Sequence, residues 1–221
     1  WPEFPTSVAW VTRDGHAEVI ELDPGSHAAP RVDPTGRRIL ASNFYRSGSN
    51  GAIRVHDVAR GLTTRVRRGS FAWVAWGPGP DDYTFTEEIE GRSRVRWATI
   101  GETAEPFMLD LPPGMVNLLI GGWSPDRRHL LCLAQALGKP YDLVVWSKDD
   151  GWVNLTNTPD AWELWPTFSP DGRWIAYVTD SRVHVRPFLR AGPAIQVSTT
   201  KSSNPLWSPD GKELYYISDV E

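Results

Sequence analysis

The sequence predicts an all-β protein, a β-propeller of four-stranded antiparallel blades, and three observations predict it. Ser169-Pro170-Asp171-Gly172 stands between an apolar run ending in Phe168 and a second run, Trp174 to Val178. Proline presets φ for a turn, aspartate bonds the backbone two residues on, and glycine tolerates positive φ, so the stretch reads as a β-hairpin. The same text returns as Trp207-Ser208-Pro209-Asp210-Gly211 and Trp123-Ser124-Pro125-Asp126. It returns in altered form as Val32-Asp33-Pro34-Thr35-Gly36, and as Trp76-Gly77-Pro78 with a longer turn through Asp82. The prolines of the five copies, Pro34, Pro78, Pro125, Pro170 and Pro209, are separated by 44, 47, 45 and 39 residues. That is the period of a repeat built from one four-stranded sheet.

Taken in order, Ser7 to Val11 and Ala17 to Leu22 read as two strands across the turn Arg13-Asp14-Gly15-His16. No Ser-Pro-Asp-Gly hairpin precedes them, so they correspond to the third and fourth strands of a blade. Complete blades follow over residues 30–66, 71–109, 116–156 and 162–198. The first of these carries a polar loop from Asn43 to Gly51, and the third carries the turn Lys148-Asp149-Asp150-Gly151. The last piece, Asn204 to Ser218, supplies only a first and second strand. Pairing it with Ser7 to Leu22 is expected to complete a fifth sheet and close a ring with no open edge, a single domain over residues 1–221.

The position before each turn holds Val32, Trp76, Trp123, Phe168 and Trp207, and the third strands carry Trp10, Val55, Trp97 and Trp146 or Val185. Large flat side chains at fixed places fill the wedge between blades that pack face to face. A buried Trp hides about 150–250 Å², worth about 4–6 kcal/mol at ~25 cal/mol per Å². By this reading Trp207→Ala costs about 3–5 kcal/mol. The turn aspartates Asp33, Asp126, Asp171 and Asp210 recur once per blade, which assigns them to backbone bonding rather than to catalysis.

At 221 residues the chain has room for one all-β domain with a sizeable core. No apolar run approaches the roughly 18 residues of a membrane span, so a soluble domain is expected. Trp1 is not followed by the pattern of a signal peptide. Cys132 has no second cysteine to pair with and reads as a small core residue. The net charge is −4, yet Arg31 to Arg68 holds nine arginines, Arg46, Arg67 and Arg68 among them, against Asp33 and Asp57. Such a block is expected on solvated faces and edges, with binding of an anion or nucleic acid as the alternative.

The phrases Leu164-Trp165-Pro166-Thr167-Phe168-Ser169-Pro170-Asp171-Gly172, Val183-His184-Val185-Arg186-Pro187-Phe188 and Asn204-Pro205-Leu206-Trp207-Ser208-Pro209-Asp210-Gly211 resemble the TolB-like family of WD40-like propeller repeats. In particular they resemble the propeller that follows a serine/threonine kinase domain in many bacterial proteins. Ile53 to Gly61 and Val8 to Gly15 fit the same template, and the resemblance covers nearly the whole chain. It implies a domain of a larger bacterial protein, cytoplasmic or extracytoplasmic. Rings of that family commonly have six blades, so an incomplete six-bladed ring is the alternative to five. No Gly-rich phosphate loop, His-Arg-Asp or Asp-Phe-Gly motif is present, so kinase chemistry is not carried over.

The search for chemistry leaves no catalytic set. His16, His27, His56, His129 and His184 are scattered without a metal-ligand spacing, no Gly-x-Ser-x-Gly elbow exists, and neither metal nor cofactor is expected. Glu87-Glu88-Ile89-Glu90 and Asp149-Asp150 read as solvated loop carboxylates, and Asn154-Leu155-Thr156 as a strand end rather than a glycosylation site. The loops leading into first strands and those joining second to third strands are expected to share one face. That face would gather Arg46, Arg67, Arg68, Trp73, Glu88, Trp162 and Glu163. Mixed Trp and Arg suit a protein or peptide partner. The expected function is therefore a non-enzymatic binding or scaffold propeller. The competitor is the gating or substrate-binding propeller of a peptidase or glycosidase, the latter requiring two carboxyls about 5–10 Å apart.

Overall fold

The computed structural model of the chain describes residues 8–20, 27–43, 51–69 and 71–219. Its regular elements are strands: β1 Val8–Val11 and β2 Ala17–Ile20, then β3 His27–Val32, β4 Arg38–Asn43, β5 Ala52–Asp57 and β6 Leu62–Arg68. They continue as β7 Phe71–Trp76, β8 Asp82–Ile89, β9 Arg92–Thr99 and β10 Phe107–Met108. Next come β11 Met115–Trp123, β12 His129–Ala136, β13 Tyr141–Ser147 and β14 Gly151–Asn154. The last are β15 Glu163–Phe168, β16 Trp174–Thr179, β17 Arg182–Pro187 and β18 Ile195–Gln196, then β19 Ser202–Trp207 and β20 Leu214–Ser218. Among the described residues no helix is long and apolar enough to cross a membrane.

Strands β3–β6, β7–β10, β11–β14 and β15–β18 each form a four-stranded antiparallel sheet in sequence order, as the repeat predicts. The chain divides into two compact units. Unit 1 holds β1–β10 except Arg92–Arg94, and unit 2 holds those three residues and β11–β20. Each unit has a core between two sheets. In unit 1 Leu40, Ile53 and Val55 of one sheet pack on Val74, Trp76, Tyr83 and Phe85 of the next. In unit 2 Leu131, Leu133, Leu143 and Val145 pack on Ile175, Tyr177 and Phe188. The second strands β8, β12 and β16 are covered on both faces. In β12 and β16 this explains the near-continuous apolar runs, Leu130-Leu131-Cys132-Leu133 above all. Burial pushes the Cys132 thiol pKa far up, so it packs as a small hydrophobe.

The Ser-Pro-Asp-Gly turn is a closed hydrogen-bond unit. Ser169 Oγ donates to Asp171 Oδ1 at 2.6 Å and accepts from Trp174 N at 3.0 Å, while Arg173 N donates to Asp171 Oδ1 at 2.9 Å. Ser124 with Asp126, and Ser208 with Asp210, repeat the arrangement. Asp33 performs the same task from the serine position. It accepts from the Thr35 hydroxyl at 2.9 Å and from Arg37 N at 2.8 Å, so donor and acceptor have exchanged places along the turn.

A feature absent from the sequence reading also repeats. Each first strand carries a register shift against its second strand, between Ala28 and Arg31, Phe71 and Val74, Ile120 and Gly122, Leu164 and Thr167, and Ser203 and Leu206. Pro166 and Pro205 sit within these bulges, where a missing N–H costs no ladder bond. Trp165 and Asn204, immediately before them, have φ of 49° and 51°. Asparagine tolerates this left-handed region, but for a residue as bulky as tryptophan it is an outlier.

The terminal pieces β1–β2, in unit 1, and β19–β20, in unit 2, are each a two-stranded antiparallel sheet set by its own tight turn, and Val11, Val19, Tyr215 and Ile217 on them are exposed. One expectation about the packing is corrected. The anchor positions are unequal: Trp76 is buried, Trp123, Phe168 and Trp207 are partly buried, and Val32 is exposed. Trp10, a third-strand ring, is exposed too. A ring is enclosed only where a neighbouring sheet lies over it, and Val is too short to reach across such a wedge.

Candidate functional site

The seven residues expected on one binding face separate into different environments. Arg46 lies outside the described residues. Arg67, at the end of β6, places its guanidinium 5.3 Å over the Phe85 ring and its Nε 3.4 Å from the Tyr83 hydroxyl, a packing role. Arg68 and Glu88 are exposed, and Trp73 is partly buried at the β7 bulge. These described residues belong to unit 1, while Trp162 and Glu163 belong to unit 2.

Glu163 is the clear correction among them, being only 1% exposed. Its Oε2 accepts from Leu143 N at 2.8 Å and from the Thr156 hydroxyl, and its Oε1 accepts from the Thr158 hydroxyl at 3.0 Å. The carboxyl therefore ties β15 to β13 and to the loop after β14. Burial outweighs these hydrogen bonds and holds its pKa above the ordinary range, with the Asp142 charge adding to the effect. Every described partner of Glu163 is internal, so it serves the fold.

The arginine block is likewise less available than its composition suggests. Arg38 Nε lies 3.3 Å from Asp33 and its NH1 2.7 Å from Asp81, and its guanidinium sits 4.6 Å over the Trp76 ring. Arg54 is buried. With Arg67, these arginines hold unit 1 together rather than facing a solvated anion.

The cleft of unit 2 is assembled from the residues around Trp162. It has a volume of about 430 Å³ and lies between the sheet β15–β18 and the hairpin β19–β20. Trp162 comes from the loop leading into β15, remains 51% exposed, and has its ring 5.6 Å from that of Tyr141. Trp165, at the β15 bulge with φ of 49°, lines the cleft as well. Asp180 and Ser181 form the two-residue turn between β16 and β17, with φ of 49° and 59°, the signature of a type I′ hairpin. Ser202 N donates to Ser181 O at 2.9 Å and docks β19 against that turn. Ile217, Asp219 and Lys201 complete the opposite wall, and Asp160 the rim. Among the described residues no cation pairs with Asp160, Asp180 or Asp219.

Sequence reasoning found Trp162 and missed the rest of this cleft. Nothing local places the Asp180-Ser181 turn beside a tryptophan some twenty residues earlier. The left-handed Trp165 left no signal other than the proline that follows it.

Among known proteins, solved structures carry the likeness. TolB from Acinetobacter baumannii superimposes with a TM-score of 0.77 at 16% identity, over 94% of this chain and 53% of that one. The fold is that of the TolB-like β-propellers. This chain thus spans about half the length of the Acinetobacter protein. A TolB-type protein from Agrobacterium tumefaciens matches with a TM-score of 0.71 at 17% identity, over 100% of this chain and 92% of the other. A propeller chain of a nidogen/laminin complex matches with a TM-score of 0.73 at 16% identity, covering 95% and 80%. A prolyl endopeptidase and a gluconolactonase share the architecture as well. No family model and no curated relative matches the chain.

Proposed function

We propose that this TolB-like propeller is a non-enzymatic binding or scaffold module that holds a protein or peptide segment in the cleft of unit 2. The observation that carries the reading is a half-exposed Trp162 beside carboxylates that are unpaired among the described residues, in a concave site. Tryptophan anchors in pockets dominate interface energies, and the cleft is wide enough for a side chain with its flanking backbone. One solved structure of the same fold is that of a nidogen/laminin complex, which makes a protein partner a use the fold admits. Asp142 and Glu163, which share Thr158, are tied up in hydrogen bonds that hold strands together rather than facing a substrate.

The test is a selection of peptides from a random display library against the folded chain. Enrichment that disappears with Trp162→Ala and survives Trp97→Ala supports the assignment. Failure to enrich any Trp162-dependent sequence counts against it, and hydrolysis of a peptide or glycoside substrate by the purified chain favours the enzymatic alternative.

A further inference from the structure

The chemistry of the cleft narrows its ligand. We infer that it recognises an arginine side chain of an extended peptide, an inference that rests on the peptide-binding reading above. Three carboxylates, Asp160, Asp180 and Asp219, line the cleft against one ammonium, Lys201, so the site is negative. Yet it is not merely acidic, because Trp162 and Trp165 supply indole surface to the same space. A cation that must satisfy carboxylates and lie against an aromatic face at once is best met by guanidinium. It is planar, weakly hydrated, stacks on indole, and bonds a carboxylate through two parallel N–H groups. An ammonium is a compact and strongly hydrated charge, and it gains less from the ring.

The cleft is also preorganised for such a ligand. The type I′ turn fixes Asp180, the bonds from Ser202 N to Ser181 O at 2.9 Å and from Asp219 N to Lys201 O at 3.1 Å fix the opposite wall, and the bulge fixes Trp165. Little ordering is left to occur on binding. Ser202 and Ser203 on one side and Ile217 on the other leave polar and apolar contacts for the residues that flank the arginine.

Binding of fluorescein-labelled Ser-Gly-Arg-Gly-Ser, measured by polarisation, tests this against the same peptide with lysine or citrulline in place of arginine. Citrulline keeps the shape and removes the charge. The arginine peptide is expected to bind about tenfold more tightly than the citrulline peptide, and severalfold more tightly than the lysine peptide. Asp180→Asn and Asp219→Asn are each expected to weaken it about two- to fivefold, the range of exposed ion pairs. Both variants change exposed positions, and an unaltered melting curve establishes that each is folded. Parity of arginine with citrulline or lysine, indifference to both Asp variants, or no binding of the arginine peptide overturns the inference. Trp162-dependent library peptides that lack arginine would do so too while leaving the peptide-binding reading intact, whereas absence of any Trp162-dependent peptide removes that reading itself.

Discussion

Trp76 is where the packing argument takes its strongest numerical form. The residue is 9% exposed and lies in the core between the sheets β3–β6 and β7–β10. Its Nε1 donates to Arg31 O at 2.9 Å, and the Arg38 guanidinium covers its ring. Removing the indole forfeits burial worth about 4–6 kcal/mol by area, less what local collapse recovers, so Trp76→Ala is expected to cost about 4 kcal/mol. Trp76→Phe keeps an aromatic ring but leaves the Arg31 carbonyl without its donor, and about 2 kcal/mol is expected. Equilibrium urea unfolding followed by circular dichroism reads both. At a slope of about 2.5 kcal/mol per M, the alanine variant moves the midpoint down by roughly 1.6 M and the phenylalanine variant by roughly half that. An alanine variant whose midpoint moves by less than about 0.3 M at unchanged slope would refute the inter-sheet wedge. Trp207 provides the internal comparison: it is only partly buried, and its buried Nε1 finds no partner among the described residues. Trp207→Ala should therefore cost less than Trp76→Ala, about 2–3 kcal/mol rather than the 3–5 expected from a uniform wedge.

Other outcomes follow from individual contacts. Because the folded pKa of Glu163 is raised, its stabilisation is complete below its ordinary value of 4.5 and is lost as pH rises through the folded value. Stability measured from pH 4 to 8 should thus shift in favour of Glu163→Gln over wild type, and a shift the other way would contradict the burial argument. Asp171 has the opposite sign. The Ser169 hydroxyl and the Arg173 N–H pull its carboxyl down from 3.8 to about 2, so its contribution is present above the ordinary value and is lost as pH falls through about 2. Since the group is largely exposed, about 1 kcal/mol is expected, and Ser169→Ala should remove most of this acid-side dependence. A Cβ on Gly121 would lie 2.9 Å from Pro166 Cγ and 3.1 Å from Leu131 O. Gly121→Val should therefore destabilise by about 1–3 kcal/mol in a thermal melt, whereas the same change at a solvent-exposed position should be nearly neutral.

The strands were legible because their boundaries are written in local chemistry. The Ser-Pro-Asp-Gly turn satisfies its own hydrogen bonds within six residues, and the doubly covered strands β12 and β16 show themselves as apolar runs. Even the exchange at Asp33 preserved the turn, since the hydrogen bond needs one hydroxyl and one carboxylate in either order. The candidate site was legible only through Trp162. Glu163, its neighbour, was placed on the exposed face by its position at the loop leading into a first strand and proved to be buried, because three donors from β13 and the loop after β14 converge on it. Those donors lie up to twenty residues away, and their convergence depends on how the sheet curves. Arg37, Arg60, Arg65 and Arg68 are exposed as expected, but Arg38 and Arg54 are not, for composition shows charge but not whether Asp81 or a Trp76 ring lies within reach.

What this polypeptide encodes by itself is the repeat: the turn chemistry, the strand order within each sheet, and the apolar faces that oblige sheets to stack. These are interactions among residues close in the chain, and their energy hardly depends on the rest of the molecule. Tertiary structure alone decided that Val32 and Trp10 are left uncovered, and that Trp162, Trp165, Asp180 and Asp219 border one cleft. These outcomes hinge on bulge twist and sheet-to-sheet spacing, where a small rotation of a strand decides whether a side chain is enclosed, paired or free to meet a ligand.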